Sequence, residues 1–280
     1  MQKKVSSVEK KINKDERKKL NIIQKYTPQQ LQDLIKTMTM QQSKIIDETV
    51  WEKNYLKLGI SSDKHYNDKA CDEWAIRDLY AEFDSEKVDA VVDGWDMTAW
   101  LWVYKWQMFD LLNVSFSDQL NHVVKQHPHL KNWKKTYAIN GNHDLARNDI
   151  AGMNFGEELE KQRPDIVNIG SYQWNITLND IKIWLQHGSK WLPYAVSYHL
   201  QKYIEKLPQG KEPDIYCLWH YHTALMMDYH GIVCFLPWAF QRWNLLTKRM
   251  WLPEDNIGGR IVEIIKEWSK IRVIPKYYRF

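Results

Sequence analysis

From residue 54 to the C-terminus, short apolar runs typical of strands alternate with segments of helical spacing, and this alternation predicts layered α/β structure. The predicted strands are 55–60, 88–92, 135–139, 181–185, 215–218, 231–235, 259–265 and 271–274. The predicted helices are 72–85, 104–112, 117–126, 156–163 and 194–207. The sequence shows no internal repeat, so we expect a single domain over residues 54–280.

Residues with metal-binding side chains follow five of the predicted strands. In chain order they are Asp63 and His65, Asp96, Asn142 and His143, His187, and His220 and His222. Loops at the carboxyl ends of strands converge in layered α/β folds, so we expect these side chains to meet at one edge. Asp93 lies close to Asp96 and is a candidate supporting residue for the same site.

Residues 1–53 are polar and rich in lysine, and they predict a helical leader outside the main domain. Thr27 and Pro28, with Gln30 three residues after Thr27, are typical of a helix start. The formal net charge is +4, and much of the positive excess lies within residues 1–25. Two interpretations stay open for that run: a solvated helical tail, or an arm that contacts phosphate groups.

Composition bounds the compartment and excludes a membrane partner. No run of about 18 apolar residues occurs, and the N-terminus lacks the apolar segment of a secretory signal. The three cysteines, Cys71, Cys217 and Cys234, have no paired spacing, which indicates a reduced, cytoplasmic protein. We expect Cys217 and Cys234 to lie in the core, because both fall in predicted strands.

The ordered blocks resemble the calcineurin-like metallophosphoesterase family. That family's pattern is Asp-x-His, Gly-Asp, Gly-Asn-His-Asp/Glu, a lone His and Gly-His-x-His. The corresponding blocks here are Asp63-x-His65, Trp95-Asp96, Gly141-Asn142-His143-Asp144, His187 and Trp219-His220-Tyr221-His222. The resemblance covers residues 55–240 and implies an α/β fold of the four-layer α/β/β/α sandwich type, with phosphodiesterase or nuclease-like activity.

The resemblance also implies a role for each residue. Asp63, His65 and His222 would hold one divalent ion, Asn142, His187 and His220 would hold a second, and Asp96 would bridge the two. His143 would face the scissile phosphate and help to protonate the leaving oxygen. Asp144 would orient His143.

Phosphoester chemistry explains these residue types. Two cations about 3.5–4 Å apart neutralise the phosphate, generate a bound hydroxide and steady the leaving oxygen. A mixed nitrogen and oxygen ligand set suits Mn, and also Fe, Zn or Co, better than Ca or Mg. The expected cofactors are therefore two divalent metal ions, with Mn first among them.

Tryptophan stands where the family has glycine at two critical positions. Trp95 directly precedes Asp96, and Trp219 directly precedes His220. Glycine is used where the backbone needs positive φ or where groups approach too closely for a Cβ atom, so an indole would crowd the metal loops. Other tryptophans fall in similarly glycine-like contexts, namely Trp100, Trp102, Trp106, Trp191, Trp238, Trp243 and Trp251.

The chain has 15 Trp and only 11 Gly, although average usage of about 7% predicts roughly 20 glycines. One hypothesis is that the gene belongs to a lineage that reads UGA as glycine, whereas this sequence reads UGA as tryptophan. The alternative is a tryptophan-rich protein with an impaired or repurposed site. UGG codons at positions 95 and 219 would refute the first hypothesis.

The leading functional hypothesis is a metal-dependent phosphodiesterase, with a nucleotide or nucleic acid such as DNA as the phosphoester substrate. The basic chain and the aromatic-rich segment 100–109 favour that substrate class, because phosphate contact and base stacking would both contribute. The alternative is a non-catalytic binding protein that retains the fold, with activity impaired by Trp95 and Trp219. In a third possibility the leader binds DNA or a partner, and the phosphoesterase acts as its effector.

Overall fold

The computed structural model describes residues 27, 44–50, 54–101, 103–146, 153–189, 193–244, 248, 257–268 and 270–280. Apart from residue 27, all of these belong to one compact unit, Ser43–Phe280. The predicted leader helices lie outside the described residues except for Thr27, and the boundary at residue 53 stays a prediction. Residues 44–50 of that leader are described, and two of them form a strand of the main unit.

Two six-stranded sheets form the centre of the unit. The order in the first sheet is β1 (Asp47–Glu48), β6 (Gln173–Leu178), β7 (Ile181–His187), β8 (Ile215–Trp219), β10 (Ile232–Leu236) and β9 (Leu225–Tyr229). The order in the second sheet is β12 (Lys270–Arg279), β11 (Gly258–Glu267), β2 (Tyr55–Ser61), β3 (Ala90–Asp93), β4 (Thr136–Asn140) and β5 (Ile166–Ser171).

Parallel pairing gives each sheet an edge of aligned carboxyl ends. Strands β2, β3, β4 and β5 pair in parallel in the second sheet, and β7, β8 and β10 do so in the first. The last rungs of these ladders include Ser61 with Asp93 and His187 with Trp219. Each loop that leaves a parallel strand therefore starts from a common edge, as the sequence predicted.

Five α-helices are described: α1 (Glu73–Ser85), α2 (Phe116–Gln126), α3 (Asn142–Leu145), α4 (Phe155–Gln162) and α5 (Tyr198–Ile204). Capping residues fix several of their starts, since Asp72 accepts from the Ala75 amide and Asn154 accepts from the Gly156 and Glu157 amides. No helix in this described part of the chain is long and apolar enough to cross a membrane.

Three apolar clusters define four layers. One cluster lies between the sheets and joins side chains such as Leu58 and Ile139 of the second sheet to Leu185 and Cys217 of the first. A second packs the outer face of the second sheet against α1, α2 and α4, and a third packs the first sheet against α5. The predicted α/β/β/α sandwich is therefore confirmed. Cys217 and Cys234 are buried, as predicted, and neither they nor Cys71 form a disulfide.

The structure corrects several predicted elements. The helix expected over 104–112 is only a 3₁₀ turn, Gln107–Phe109, because Trp106 precedes it with a left-handed φ of +73° that an α-helix cannot include. The helix expected over 194–207 is shorter and spans Tyr198–Ile204. Strands β1, β5, β6 and β9 were not predicted. Strands β5 and β6 carry polar residues among their apolar ones, which obscures the strand pattern.

Candidate metal centre

All seven predicted metal ligands lie at the carboxyl ends of five parallel strands. Asp63 and His65 follow β2, Asp96 follows β3, Asn142 follows β4, His187 ends β7, and His220 and His222 follow β8. Three overlapping groups of side chains each bring their ligand atoms within 4.8 Å of one another: Asp63, His65 and His222; His65, Asp96 and His143; and Asp96, His187 and His220. Since His65 and Asp96 belong to two groups each, the groups form one continuous cluster.

Left-handed backbone turns the ligand side chains toward this cluster. The φ angles are +43° at Asp63, +50° at His65, +48° at Asp96, +93° at His220 and +50° at His222. Positive φ is uncommon for residues other than glycine and persists only where surrounding structure enforces it. Such backbone at five candidate ligands is typical of a functional site rather than of ordinary loops.

The first end of the cluster contains Asp63, His65 and His222. The Nε2 atoms of His65 and His222 lie 3.1 Å apart, and His222 Nε2 lies 3.6 Å from Asp63 Oδ1. Asp63 is fully buried, and its Oδ1 atom has no hydrogen-bond partner among the described residues. A buried carboxylate oxygen without a donor is costly unless a cation satisfies it, so this end fits a metal ion.

The second end contains Asp96, Asn142, His187 and His220. Nε2 of His187 lies 3.2 Å from Asp96 Oδ2 and 3.1 Å from Asn142 Oδ1. Nδ1 of the same ring lies 2.7 Å from the Gly94 carbonyl oxygen, which can only accept, so Nδ1 carries a proton and donates it. This hydrogen bond directs Nε2 at the cluster, which is the arrangement seen for histidines that bind metals.

His143 lies at the mouth of the cluster, with its side chain 11% exposed. Its Nδ1 donates to the Ala99 carbonyl oxygen at 2.6 Å, and its Nε2 lies 3.9 Å from Asp96 Oδ2. The His143 backbone N–H donates to Asp96 Oδ1 at 2.8 Å, which also helps to fix the Asp96 carboxylate. His143 therefore presents Nε2 to whatever lies over the cluster.

Asp144 has other partners than the sequence predicted. Its carboxylate accepts from the backbone N–H groups of Met97, Thr98 and Gly141, each at 3.2 Å, and the His143 ring hydrogen-bonds to Ala99 instead. Through Met97 and Thr98 it fixes the backbone that leads to Ala99, and through Gly141 it fixes the turn that carries His143. Among the described contacts none joins the Asp144 carboxylate to the His143 ring, and the role of Asp144 in orienting His143 stays a prediction.

The two carboxyl groups of the cluster have lowered pKa values, because the neighbouring histidine rings favour their charged form. Burial alone would raise the pKa of Asp63, but the nearby His222 and His187 rings outweigh it and bring that pKa to about 2. Burial likewise opposes ionisation of Asp96, yet attraction to His187 and His143 keeps its pKa well below the usual range. Both carboxyl groups are therefore charged at neutral pH.

The histidine pKa values move in opposite directions. Burial, with repulsion from neighbouring histidines, lowers the pKa of His65 well below its usual value and that of His220 to about 4. For His187, burial is outweighed by the Asp96 carboxylate, which raises the pKa to about 9. Two of the rings are thus neutral and ready to bind a cation, whereas His187 must first lose a proton.

The pKa of Asp144 is also displaced. Burial and then repulsion from Asp96 raise it to about 8, although the three backbone N–H groups oppose that change.

Trp95 and Trp219 both lie fully buried beside the candidate ligands. Trp95 has a φ of +48°, which bears out the expectation that its position favours glycine. Trp219 instead lies in extended strand β8 and packs between the sheets, and a Cβ atom on Gly94 would overlap its indole ring. Neither indole nitrogen has a hydrogen-bond partner among the described residues.

The other tryptophans in glycine-like sequence contexts also include some with left-handed backbone and some without it. Trp100 and Trp106 have φ of +55° and +73°, whereas Trp238 and Trp243 are not among the positive-φ residues of the described chain. Trp102, Trp191 and Trp251 lie outside the described residues. Sequence reasoning missed two further cases, Trp133 and Trp268, whose φ angles are +55° and +58°.

Sequence reasoning also missed the groups that hold the ligands. The carbonyl oxygens of Gly94 and Ala99 orient His187 and His143, and no side-chain pattern could reveal them. Lys64 was visible in the sequence only as a residue between two candidate ligands, yet it is fully buried and forms an ion pair with Asp93.

Comparisons with known proteins give only distant likenesses. No protein-family model matches the sequence, and no curated protein matches it. Among solved structures, the chain is similar to a novel archaeal phosphodiesterase, with 17% identity and a TM-score of 0.45 over 79% of this chain and 100% of the other. A predicted phosphoesterase from Streptococcus pneumoniae is 14% identical, with a TM-score of 0.41 over 81% and 98% of the two chains.

A zinc complex of Vps29 from Entamoeba histolytica is 10% identical, with a TM-score of 0.39 over 79% of this chain and 99% of the other. With TM-scores below 0.5, these likenesses add no evidence about function, which depends on the geometry of the site.

Proposed function

We propose that this chain is a dinuclear-metal-dependent phosphoester hydrolase, and that its substrates are phosphodiesters of the nucleotide or nucleic acid class. The observation that supports this most is the position of Asp96, which groups with His65 of the first end and with His187 and His220 of the second. A carboxylate between two sets of nitrogen and oxygen donors suits a pair of cations that share one ligand.

The assignment of ligands follows the two ends of the cluster. Asp63, His65 and His222 would hold one ion, Asn142, His187 and His220 would hold the other, and Asp96 would contact both. Neutral His65 and His220 and charged Asp63 and Asp96 support this assignment, because metal ligands must be deprotonated. The mixed nitrogen and oxygen donors favour Mn, with Fe, Zn or Co as alternatives.

The bound ions would neutralise the phosphate and activate a water molecule for attack on phosphorus. The chain's own contribution is to hold the reacting groups in place. His143 would donate a proton to the leaving oxygen through Nε2, because its Nδ1 is engaged by Ala99 and fixes the ring. Asp144 would hold the segment that carries Ala99 through the Met97 and Thr98 N–H groups, and the turn that carries His143 through the Gly141 N–H group.

The substrate class is supported by the segment that follows Asp96. Trp106 and Phe109 are exposed and stack with ring centroids 6.1 Å apart, and Lys105 lies 5.3 Å from the centre of the Trp106 ring. Exposed aromatic rings beside a cation suit stacking of a base and contact with its phosphate. The net charge of +4 is consistent with an anionic ligand.

A second candidate function is binding without turnover. Trp95 adopts left-handed backbone directly before Asp96, and Trp219 lies buried directly before His220. If these indoles displace the ligand loops in solution, the protein would bind a phosphoester without hydrolysing it.

Hydrolysis of bis-p-nitrophenyl phosphate with added Mn²⁺ separates the two candidates. We expect turnover that Asp96→Asn and His143→Ala abolish and that His230→Ala, at an exposed histidine, leaves unchanged. A parent protein that binds the ester and Mn²⁺ without turnover would instead support the binding function. A panel of single- and double-stranded DNA, RNA, cyclic nucleotides and phosphomonoesters would then test the substrate class.

A further inference from the structure

A buried ion pair is formed by two residues that lie close in the chain to candidate metal ligands. Lys64 and Asp93 are both fully buried, and the Lys64 Nζ atom is bonded to Asp93 Oδ2. Lys64 stands between the candidate ligands Asp63 and His65, and Asp93 lies three residues before Asp96. The pair therefore connects the loop after β2 to the end of β3, and the loops after these two strands together carry three of the seven candidate ligands.

Both oxygens of the Asp93 carboxylate accept hydrogen bonds, from the end of β2 and from the loops after β2 and β3. Its Oδ2 accepts from the Ser61 hydroxyl at 2.7 Å as well as from Lys64, and its Oδ1 accepts from the Trp95 backbone N–H at 3.0 Å. Lys64 Nζ also donates to the Ser61 hydroxyl at 3.1 Å. Ser61 and Asp93 form the last rung of the β2–β3 ladder, so the ion pair is fixed to the end of the sheet.

The two loops need such a connection because their backbone is unfavourable. Left-handed φ occurs at Asp63 and His65 in one loop and at Trp95 and Asp96 in the other. Side chains with a Cβ atom resist this conformation, so it persists only where other contacts enforce it. Backbone hydrogen bonds also join the loops, from Asp63 N–H to Trp95 O at 2.7 Å and from His65 N–H to Asp96 O at 2.9 Å, with two more at Tyr66.

Because the two charges of the pair neutralise each other, the pair is suited to hold the loops in position rather than to change the charge of the site. A lone lysine next to Asp63 would repel metal ions, but here Asp93 neutralises it. The Lys64 side chain extends to the helix-covered side of the second sheet, where Nζ lies 6.0 Å from the centre of the Tyr80 ring of α1. A buried ion pair is a poor source of stability, since replacement of both charges is often neutral, whereas it can specify one arrangement of its neighbours.

We propose that Lys64 and Asp93 are positioning residues, a clamp that sets the separation between the Asp63–His65 loop and Asp96 and hence between the two metal ions. This proposal rests on the metal centre proposed above. The clamp holds the loops in their ligand-binding arrangement before any ion binds, which favours uptake of both ions.

The test compares two double variants that each remove one buried ion pair. Lys64→Met with Asp93→Asn removes the clamp without leaving an unpaired charge. Arg163→Met with Asp165→Asn is the matched control, because that buried pair packs against the end of α2 and provides no ligand. Mn²⁺ binding is measured by titration calorimetry, and the paired state of the ions by electron paramagnetic resonance at two Mn²⁺ per chain.

We expect the clamp variant to bind Mn²⁺ about 10- to 100-fold more weakly than the parent, in the range typical for residues that orient metal ligands. Its resonance spectrum should lose the signal of coupled ions and gain that of isolated Mn²⁺. The control should keep the parent's affinity and coupled signal even if its unfolding midpoint falls.

A clamp variant with the parent's affinity and coupled signal would overturn the proposal. So would an equal loss in the control, because general destabilisation would then explain both results. A parent protein that takes up fewer than two Mn²⁺ would refute the metal centre itself, and this outcome is visible without any variant.

Discussion

Replacement of Trp268 tests whether the left-handed tryptophans occupy positions that favour glycine. Trp268 is 99% exposed, has a φ of +58°, and lies in the short connection between the paired residues Glu267 and Lys270 of β11 and β12. Two-residue hairpin connections of this kind favour glycine where φ is positive. Trp268 suits the test better than Trp95, because removal of a buried indole costs about 3–5 kcal/mol and would mask any relief of backbone strain.

The magnitude follows from comparison of glycine with alanine at the same position. Both Trp268→Gly and Trp268→Ala remove the indole, so their difference isolates the Cβ atom. Left-handed backbone costs a residue with a Cβ atom about 1–2 kcal/mol, and the greater freedom of glycine in the unfolded chain offsets about 0.5–1 kcal/mol of this. We therefore expect Trp268→Gly to be more stable than Trp268→Ala by about 1 kcal/mol.

Asp78 provides the control with the opposite sign. It is exposed and lies in the interior of α1, where glycine is less stable than alanine by about 1 kcal/mol. The glycine and alanine variants at both positions are unfolded in urea without metal and followed by far-ultraviolet circular dichroism. If Trp268→Gly is no more stable than Trp268→Ala, while the Asp78 pair behaves as expected, the glycine interpretation of position 268 is wrong.

The outcome bears on the hypothesis that UGA codons are read as glycine in the native lineage. Trp106 and Trp133 are also exposed and left-handed, so the same comparison applies to them. A glycine preference at all three positions would support the hypothesis, and UGG codons at those positions would refute it.

Three further predictions concern the site. Because Asp96 raises the pKa of His187 to about 9, Mn²⁺ must displace a proton from His187 below that pH, and the affinity for Mn²⁺ should rise about tenfold per pH unit from pH 7 to 8. Titration calorimetry in buffers of different ionisation enthalpy would count the released protons. A pH-independent affinity would contradict the assignment of His187 as a ligand. At pH 9, above its pKa of about 8, the Asp144 side chain is a carboxylate, and Asp144→Asn replaces one acceptor oxygen by a donor beside three backbone N–H groups. Unfolding in urea at that pH should show a loss of about 1–3 kcal/mol in the free energy of unfolding, and an unchanged midpoint would show that these hydrogen bonds contribute nothing. Chelation of the metal should lower the unfolding temperature of the parent protein, since a ligand at 100 times its dissociation constant stabilises the folded state by about 2.7 kcal/mol. Asp63→Asn weakens one end of the site and should reduce this fall in unfolding temperature. Equal falls in both proteins would contradict the ligand role of Asp63.

Much of the fold could be predicted from local patterns. The strands that carry the site are visible in a single sequence as mostly apolar runs. Strands β3, β4 and β8 are buried along their whole length, whereas β2 and β7 also include the less buried Lys57 and Lys182. The segment 104–112 was misjudged as a helix because its apolar spacing is helical, whereas the left-handed backbone at Trp106 is not a property of the pattern.

The sequence by itself determined which side chains meet at the candidate centre. Ligand-type residues after parallel strands must converge, since the carboxyl ends of those strands share an edge. Only the tertiary structure decided what holds those side chains: the Gly94 and Ala99 carbonyl groups on two rings, the three backbone donors around Asp144, and the pairing of Lys64 with Asp93. These contacts join residues distant in the chain through the backbone or through buried charge, and neither leaves a periodic signal in the order of the amino acids.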